Sequence, residues 1–285
     1  MMKTKRAIFL LATSTLYFLS VSAQSSSIDA SQIGDNAKVG RYVKTRGINM
    51  YYETYGKGEP LLMIHGNGGS ISNFMYQVPY FAVSYQVIVT DSRAQGKTAD
   101  TKDSLTYEMM ADDLNALLDS IHIDSCYVIG WGDGAINGLL LAIRHPDKIK
   151  KMAITGAYLS PDTSAVDPSA YDWALNYNAS FRKIKQTPEV RNNSKVAHLL
   201  SYEPHININL LKKIQCPTLV IGGDHEVVLP KHTVLIAEII LKSYLWILPN
   251  AGHSTPIFHK DLFNQVVGDF FRTPYKKPQA YDLFN

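Results

Sequence analysis

Cysteine is scarce: Cys126 and Cys216 are the only two in 285 residues. That count excludes a disulfide scaffold. Nothing near either residue has the Cys and His spacing of a zinc site. Excess charge of either sign is also missing. The formal net charge is +3, from 28 Lys and Arg against 25 Asp and Glu. Lys3, Lys5 and Arg6 account for the whole surplus, and all three stand in the first six residues. The rest of the chain is near neutral and carries no basic stripe, so nucleic acid is not an expected partner. There is no internal repeat. Hydrophobic residues at 46% and charged residues at 19% describe an ordinary globular protein, not a disordered one.

What is present begins with a leader. "MMKTKR" is basic, "AIFLLATSTLYFLSV" is apolar, and "VSA" ends at Ala23. This order predicts a secretory signal peptide over residues 1–23, cleaved near Ala23. The apolar run is short for a bilayer span. The expected product is exported, to a periplasm or outside the cell, with no stable membrane association after cleavage. Residues 24–39 are Ser-rich and polar and are expected to form a flexible linker. The folded domain is expected over residues 40–285.

From Gly40 onward, strand and helix signals alternate. "RYVKT" and "INMYYETYG" flank Arg46-Gly47 and read as a hairpin. "PLLMI", "YQVIVT", "CYVIG", "KMAITGA", "PTLVIGG" and "YLWILP" are apolar runs of the kind buried on both faces. Between them, Met110, Leu114, Leu117, Leu118 and Ile121 recur at helical spacing, as do Leu262, Val266 and Phe270. The expectation is an α/β fold, with a mostly parallel eight-stranded sheet and helices on both faces. Cys126 and Cys216 fall on strands with one strand between them. At about 4.8 Å per strand that is too far for a bridge, so two buried thiols are expected. Residues from about 160 to 210 break the alternation. They are polar with scattered aromatics and hold no strand run, so a helical cap insertion over the sheet is expected.

Four motifs fall at strand ends. "HGNGGS", His65–Ser70, follows "PLLMI", and its glycines let the backbone expose N–H groups that can hold an oxyanion. "DSRAQGKT" follows "YQVIVT", and Asp91 with Arg93 reads as a structural ion pair. "VIGWGDGAING" carries the strand, sharp turn and helix of a nucleophile elbow, with Gly130 and Gly134 flanking the central position. That position is Gly132. Last come "GGDHEVVLP", with Asp224 and Glu226, and "NAGHSTP", with His253. The chain order is elbow, acid, histidine. His225 beside Asp224 and Glu226 is not read as a metal site, because consecutive residues on a turn cannot all face one ion.

With these motifs the chain, from about Gly40 to Phe271, resembles the α/β-hydrolase superfamily. "GWGDGA" is similar to the G-W-S-D-G-G elbow of valacyclovirase-like esterases, and the small C–C hydrolases are also similar. The resemblance implies Glu226 as the acid and His253 as the histidine. It implies oxyanion N–H groups at Asn67 and Asp133, and a substrate pocket lined by Gly66 and Trp131. It departs from the family where serine would stand, because Gly132 has no side chain to acylate.

Several readings follow. In the first, the protein is an esterase-like hydrolase of small acyl substrates, with water activated by His253 and Glu226. In the second, it is a non-catalytic pseudo-hydrolase that binds a small molecule. A displaced nucleophile at Asp133, Ser70 or Ser254 is a further alternative. The expected partner is a small-molecule substrate or ligand, with no cofactor and no metal.

Overall fold

The computed structural model describes residues 28–277, so the expected leader lies outside the described residues. The sheet is formed by β1 (Gly40–Thr45), β2 (Ile48–Tyr55), β3 (Glu59–Ile64), β4 (Tyr85–Thr90), β5 (Cys126–Trp131), β6 (Ile149–Thr155), β7 (Thr218–Gly223) and β8 (Ser243–Leu248). Their order across the sheet is β1-β2-β4-β3-β5-β6-β7-β8. β1 pairs antiparallel with β2, and β2 antiparallel with β4. Every later pairing is parallel. The β1–β2 hairpin turns on Arg46 and Gly47, whose φ values of 45° and 83° match the twist of the flanking strands.

The helices are α1 (Gln77–Phe81), α2 (Tyr107–Ser120), α3 (Asp133–Arg144), α4 (Pro168–Ser180), α5 (Pro188–Tyr202), α6 (Pro230–Ile239), α7 (Thr255–Phe258) and α8 (Lys260–Arg272). Leu61, Leu62, Met63 and Ile64 of β3 are all wholly buried, as a strand covered on both faces requires. The pleat divides them. Leu62 and Ile64 join a core with Met110, Leu114 and Leu139 of α2 and α3 and Ile236 of α6. Leu61 and Met63 join a second core with Val78 and Phe81 of α1 and Phe263 and Val267 of α8. Cys126 and Cys216 are free, buried thiols on opposite sides of β6. Burial pushes them up to about 12 and about 11, which leaves both inert as nucleophiles.

Residues 160–210 fold as α4 and α5, with short 3-10 turns after each. Asp167 caps α4 by accepting from the Ser169 and Ala170 N–H groups, and Thr187 caps α5 by accepting from Val190 N–H. Proline follows each cap residue, where its missing N–H costs nothing. Among the described residues, no helix is long and apolar enough to cross a membrane.

Three expectations are corrected. The last helix does not bury Leu262, Val266 and Phe270 as one stripe. Leu262 is 48% exposed, and Phe263, Val267, Phe270 and Phe271 face the core. Phe270 is buried and Val266 is half-buried against the same core, so of the three residues only Leu262 faces away. Asp91 and Arg93 do not pair with each other. Asp91 accepts from the Ile71 and Lys97 N–H groups, while Arg93 pairs with Asp113 and Asp100. Finally, residues 28–39 are not a loose linker. Ile33 is buried, and Glu53 takes up the Gly34 and Asn36 N–H groups at 2.9 and 3.0 Å. The Tyr51 and Tyr55 hydroxyls complete the same buried carboxylate at 2.8 and 2.7 Å. Four donors around one carboxylate offset its desolvation.

Candidate active site

The turn between β5 and α3 has Gly132 at φ 57° and ψ −120°, a conformation that non-glycine residues adopt only under strain. The flanking glycines are there for space. A Cβ at Gly134 would lie 1.9 Å from the Ile64 carbonyl oxygen, and one at Gly130 would lie 2.4 Å from the Gly134 carbonyl oxygen. No other residue fits either position without moving backbone. Gly132 differs from both. The nearest atom to a Cβ there is His253 Nε2, at 3.1 Å, and next is Gly66 Cα at 3.5 Å. The central position of the turn therefore faces the imidazole.

His253 follows β8 and Glu226 follows β7, and these neighbouring parallel strands end at the same edge of the sheet. His253 Nδ1 lies 2.6 Å from Glu226 Oε1. Glu226 is acceptor-only as a carboxylate, so Nδ1 carries the proton and Nε2 presents its lone pair toward Gly132. The Val227 N–H donates to the same oxygen at 2.9 Å, which fixes the carboxylate. The Glu226 side chain is wholly buried, while that of His253 is 36% exposed, with its open side toward the cavity. Burial alone would lower the His253 pKa, but the hydrogen bond and charge of Glu226 outweigh it, so the net shift is upward. Asp224, the other acid of that loop, turns away and accepts from Ala251 N–H.

Two contacts to this histidine were not foreseen. Trp131 Nε1–H donates to the His253 carbonyl at 2.9 Å, so the elbow tryptophan holds the histidine loop as well as lining the cavity. Gly156, just past β6, lies under the ring. A Cβ there would stand 2.7 Å from His253 Cε1. The only signal for it in the sequence was a glycine after a strand, which is common.

Asn67 and Asp133 come together. Among the described residues, neither backbone N–H has a protein acceptor. Their side chains bond to each other, Asn67 Nδ2 donating to Asp133 Oδ2 at 2.7 Å. The same amide donates to the Val196 carbonyl of α5 at 3.0 Å. One side chain thus ties the β3 loop to the elbow and to the cap. Asn192 and Lys195 extend this docking on the same face of α5, to the Ala94 carbonyl at 2.6 Å and to Asp100 at 2.9 Å. Burial pushes the Asp133 carboxyl up to about 6, although Asn67, Tyr107 and His253 favour its charged form.

Gly66, Asn67, Trp131, Gly132, Asp133 and His253 all line one cavity of about 540 Å³, roofed by residues of α4 and α5. His65 is outside it. Its Nδ1–H donates to the Gly66 carbonyl and its Nε2 accepts from Ser92 N–H, a structural role. His225 is exposed. No cluster of three or more potential metal ligands occurs among the described residues.

The fold has known counterparts. A family model described as alpha/beta hydrolase fold matches residues 59–195. The chain is 27% identical to the 2-hydroxymuconate semialdehyde hydrolase of Pseudomonas sp. strain CF600, covering 83% of this chain and 95% of that one. It is 26% identical to the mouse serine hydrolase BPHL, over 81% and 85% of the two chains. Among solved structures, MGS-M2, an alpha/beta hydrolase enzyme from a Medee basin deep-sea metagenome library, superposes with a TM-score of 0.75 at 18% identity. That match covers 84% of this chain and 100% of the other.

Proposed function

We propose that this chain, a member of the α/β-hydrolase superfamily, hydrolyses small acyl or ester substrates through water activated by His253, without an acyl-enzyme. The observation that carries the reading is the placement of His253. Its Nδ1 is fixed on Glu226 at 2.6 Å, and its Nε2 stands 3.1 Å from the point where a side chain at Gly132 would begin. Gly132 offers no atom to acylate. A water molecule at hydrogen-bond distance from Nε2 would occupy the position a serine hydroxyl takes in a triad.

The steps follow from that placement. Nε2 takes a proton from the water as its oxygen attacks the carbonyl carbon. The Asn67 and Asp133 N–H groups receive the carbonyl oxygen as it becomes an oxyanion. Glu226 holds the ring in one tautomer and stabilises the imidazolium. The intermediate collapses as the imidazolium returns its proton to the leaving group. A positioned base of this kind contributes about 10²–10⁴-fold. That is less than a full triad supplies, so activated esters are the favoured substrates.

The relatives support an acyl or carbonyl substrate without fixing which. One acts, by its name, on 2-hydroxymuconate semialdehyde and another is named a serine hydrolase. The test is turnover of a panel of aryl esters by the wild type and by His253→Ala. Loss of turnover in the variant supports the reading. Equal turnover in both overturns it, and turnover in neither overturns it and leaves a ligand-binding pocket on a hydrolase fold.

A further inference from the structure

The cavity roof contains two large aromatic side chains that do not behave as core. Ala170, Trp173, Ala174 and Tyr177 occupy one face of α4 at helical spacing, and all four line the cavity. Ala174 is buried, yet Trp173 is 60% exposed and Tyr177 is 41% exposed. Their rings lie parallel, 5.2 Å apart with an interplanar angle of 4°, and Phe181 meets Tyr177 edge-on at 5.2 Å and 78°. The result is a braced aromatic stack that borders the same space as Gly132 and His253, with Trp173 its most exposed ring.

Charge narrows what can lie there. Among the described residues lining the cavity there is no lysine or arginine. Tyrosines aside, the ionisable groups are His253, already bonded to Glu226, and the buried Asp133. A carboxylate-bearing ligand would lose its hydration, find no free cation, and meet the Asp133 carboxylate. Most of the remaining wall is apolar, with Val166, Leu200 and Val228 among its residues, and Asn73, Tyr158 and Tyr171 add neutral polar groups. A cavity of about 540 Å³ holds a ligand of one ring and a short chain.

We infer that the substrate is an uncharged ester or related carbonyl compound with a planar aromatic arm, seated on the Trp173–Tyr177 surface while its carbonyl lies at Gly132. This rests on the proposed site of reaction, and it adds the class of substrate. Aromatic pairs gain from stacking beyond the area they bury, and the gain requires a flat partner. The arm is therefore selected for planarity and neutrality, not for size alone.

The test is calorimetric binding of methyl ketones, which bind without being hydrolysed. Three probes are compared: an arylalkyl methyl ketone, its cyclohexyl counterpart of similar size, and the same aryl ketone with a ring carboxylate. The aryl ketone should bind best, and the carboxylate should bind at least about tenfold more weakly. Trp173→Ala should weaken the aryl ketone about tenfold while barely changing the cyclohexyl compound, and Trp173→Phe should restore most of the loss. Trp173 is exposed, so these variants should melt with the wild type. The inference is overturned if the carboxylate binds as tightly as the neutral ketone, or if Trp173→Ala leaves aryl binding unchanged. It is also overturned if Trp173 responds to lipid vesicles and not to the ketones. Because no turnover is read, this result can fail while ester hydrolysis stands, or stand while hydrolysis fails.

Discussion

Replacing Gly132 by serine tests both the backbone and the chemistry of the turn. The substitution puts a Cβ on a residue at φ 57° and ψ −120°. Such a conformation costs a non-glycine residue about 1–3 kcal/mol. At about 2–4 °C per kcal/mol for a domain of this size, Gly132→Ser should melt several degrees below the wild type. The new Cβ would stand 3.1 Å from His253 Nε2, so the ring must yield by a few tenths of an ångström. It has room to do so on its cavity side, where the side chain is 36% exposed. The serine oxygen would then lie within reach of Nε2, with Nδ1 already held by Glu226 at 2.6 Å. Labelling by a fluorophosphonate reads the outcome. The wild type should not label, Gly132→Ser should label, and Gly132→Ser with His253→Ala should lose the label. A folded Gly132→Ser protein that resists labelling would refute the placement of His253. A labelled wild type would refute hydrolysis without an acyl-enzyme and point to a displaced serine such as Ser70 or Ser254.

Three further outcomes are expected. The log of kcat/KM should rise with pH as His253 loses its proton, with an apparent pKa above the ordinary histidine value of 6.5, because Glu226 favours the protonated ring. Activity is thus lost as pH falls through that raised pKa, and Glu226→Gln should move the transition to lower pH and lower the plateau; an unmoved transition contradicts the pairing. Asn67→Ala removes the bridge between the β3 loop, Asp133 and α5. It should lower kcat about tenfold or more with a smaller change in KM, since the loop N–H acts on the oxyanion and not on the ground state; a change in KM alone would count against this. In α8, Phe263→Ala should cost about 3–5 kcal/mol in denaturant unfolding and Leu262→Ala no more than about 0.5 kcal/mol, because the first side chain is wholly buried and the second is 48% exposed.

The parts of this molecule that could be read from sequence are those under local constraint. Strands buried on both faces must be apolar throughout, and "PLLMI" and "TLVIG" show it. The elbow could be read because its glycines are dictated by backbone contacts, Gly134 against Ile64 and Gly130 against Gly134. Glu226 and His253 were legible through the family resemblance, each just past a strand, and they meet because the structure makes those two strands neighbours. What could not be read depends on distant side chains meeting. Nothing near Asn67 announces its bond to Val196, 129 positions away. Nothing in the Ser-rich start announces that Glu53 will hold Gly34 and Asn36. Helix α8 has apolar residues on two sides, and only packing against Phe81 and its neighbours decides which side is buried.

The most direct test of histidine-activated water without an acyl-enzyme is rapid mixing of the wild type with a neutral chromogenic aryl ester, following release of the leaving group from the first turnover. The account predicts linear release from the start, with no burst, at a rate that falls about 10²-fold or more in His253→Ala. A burst equal to the enzyme concentration would reveal a covalent intermediate and contradict the account. So would linear release that is unchanged in His253→Ala.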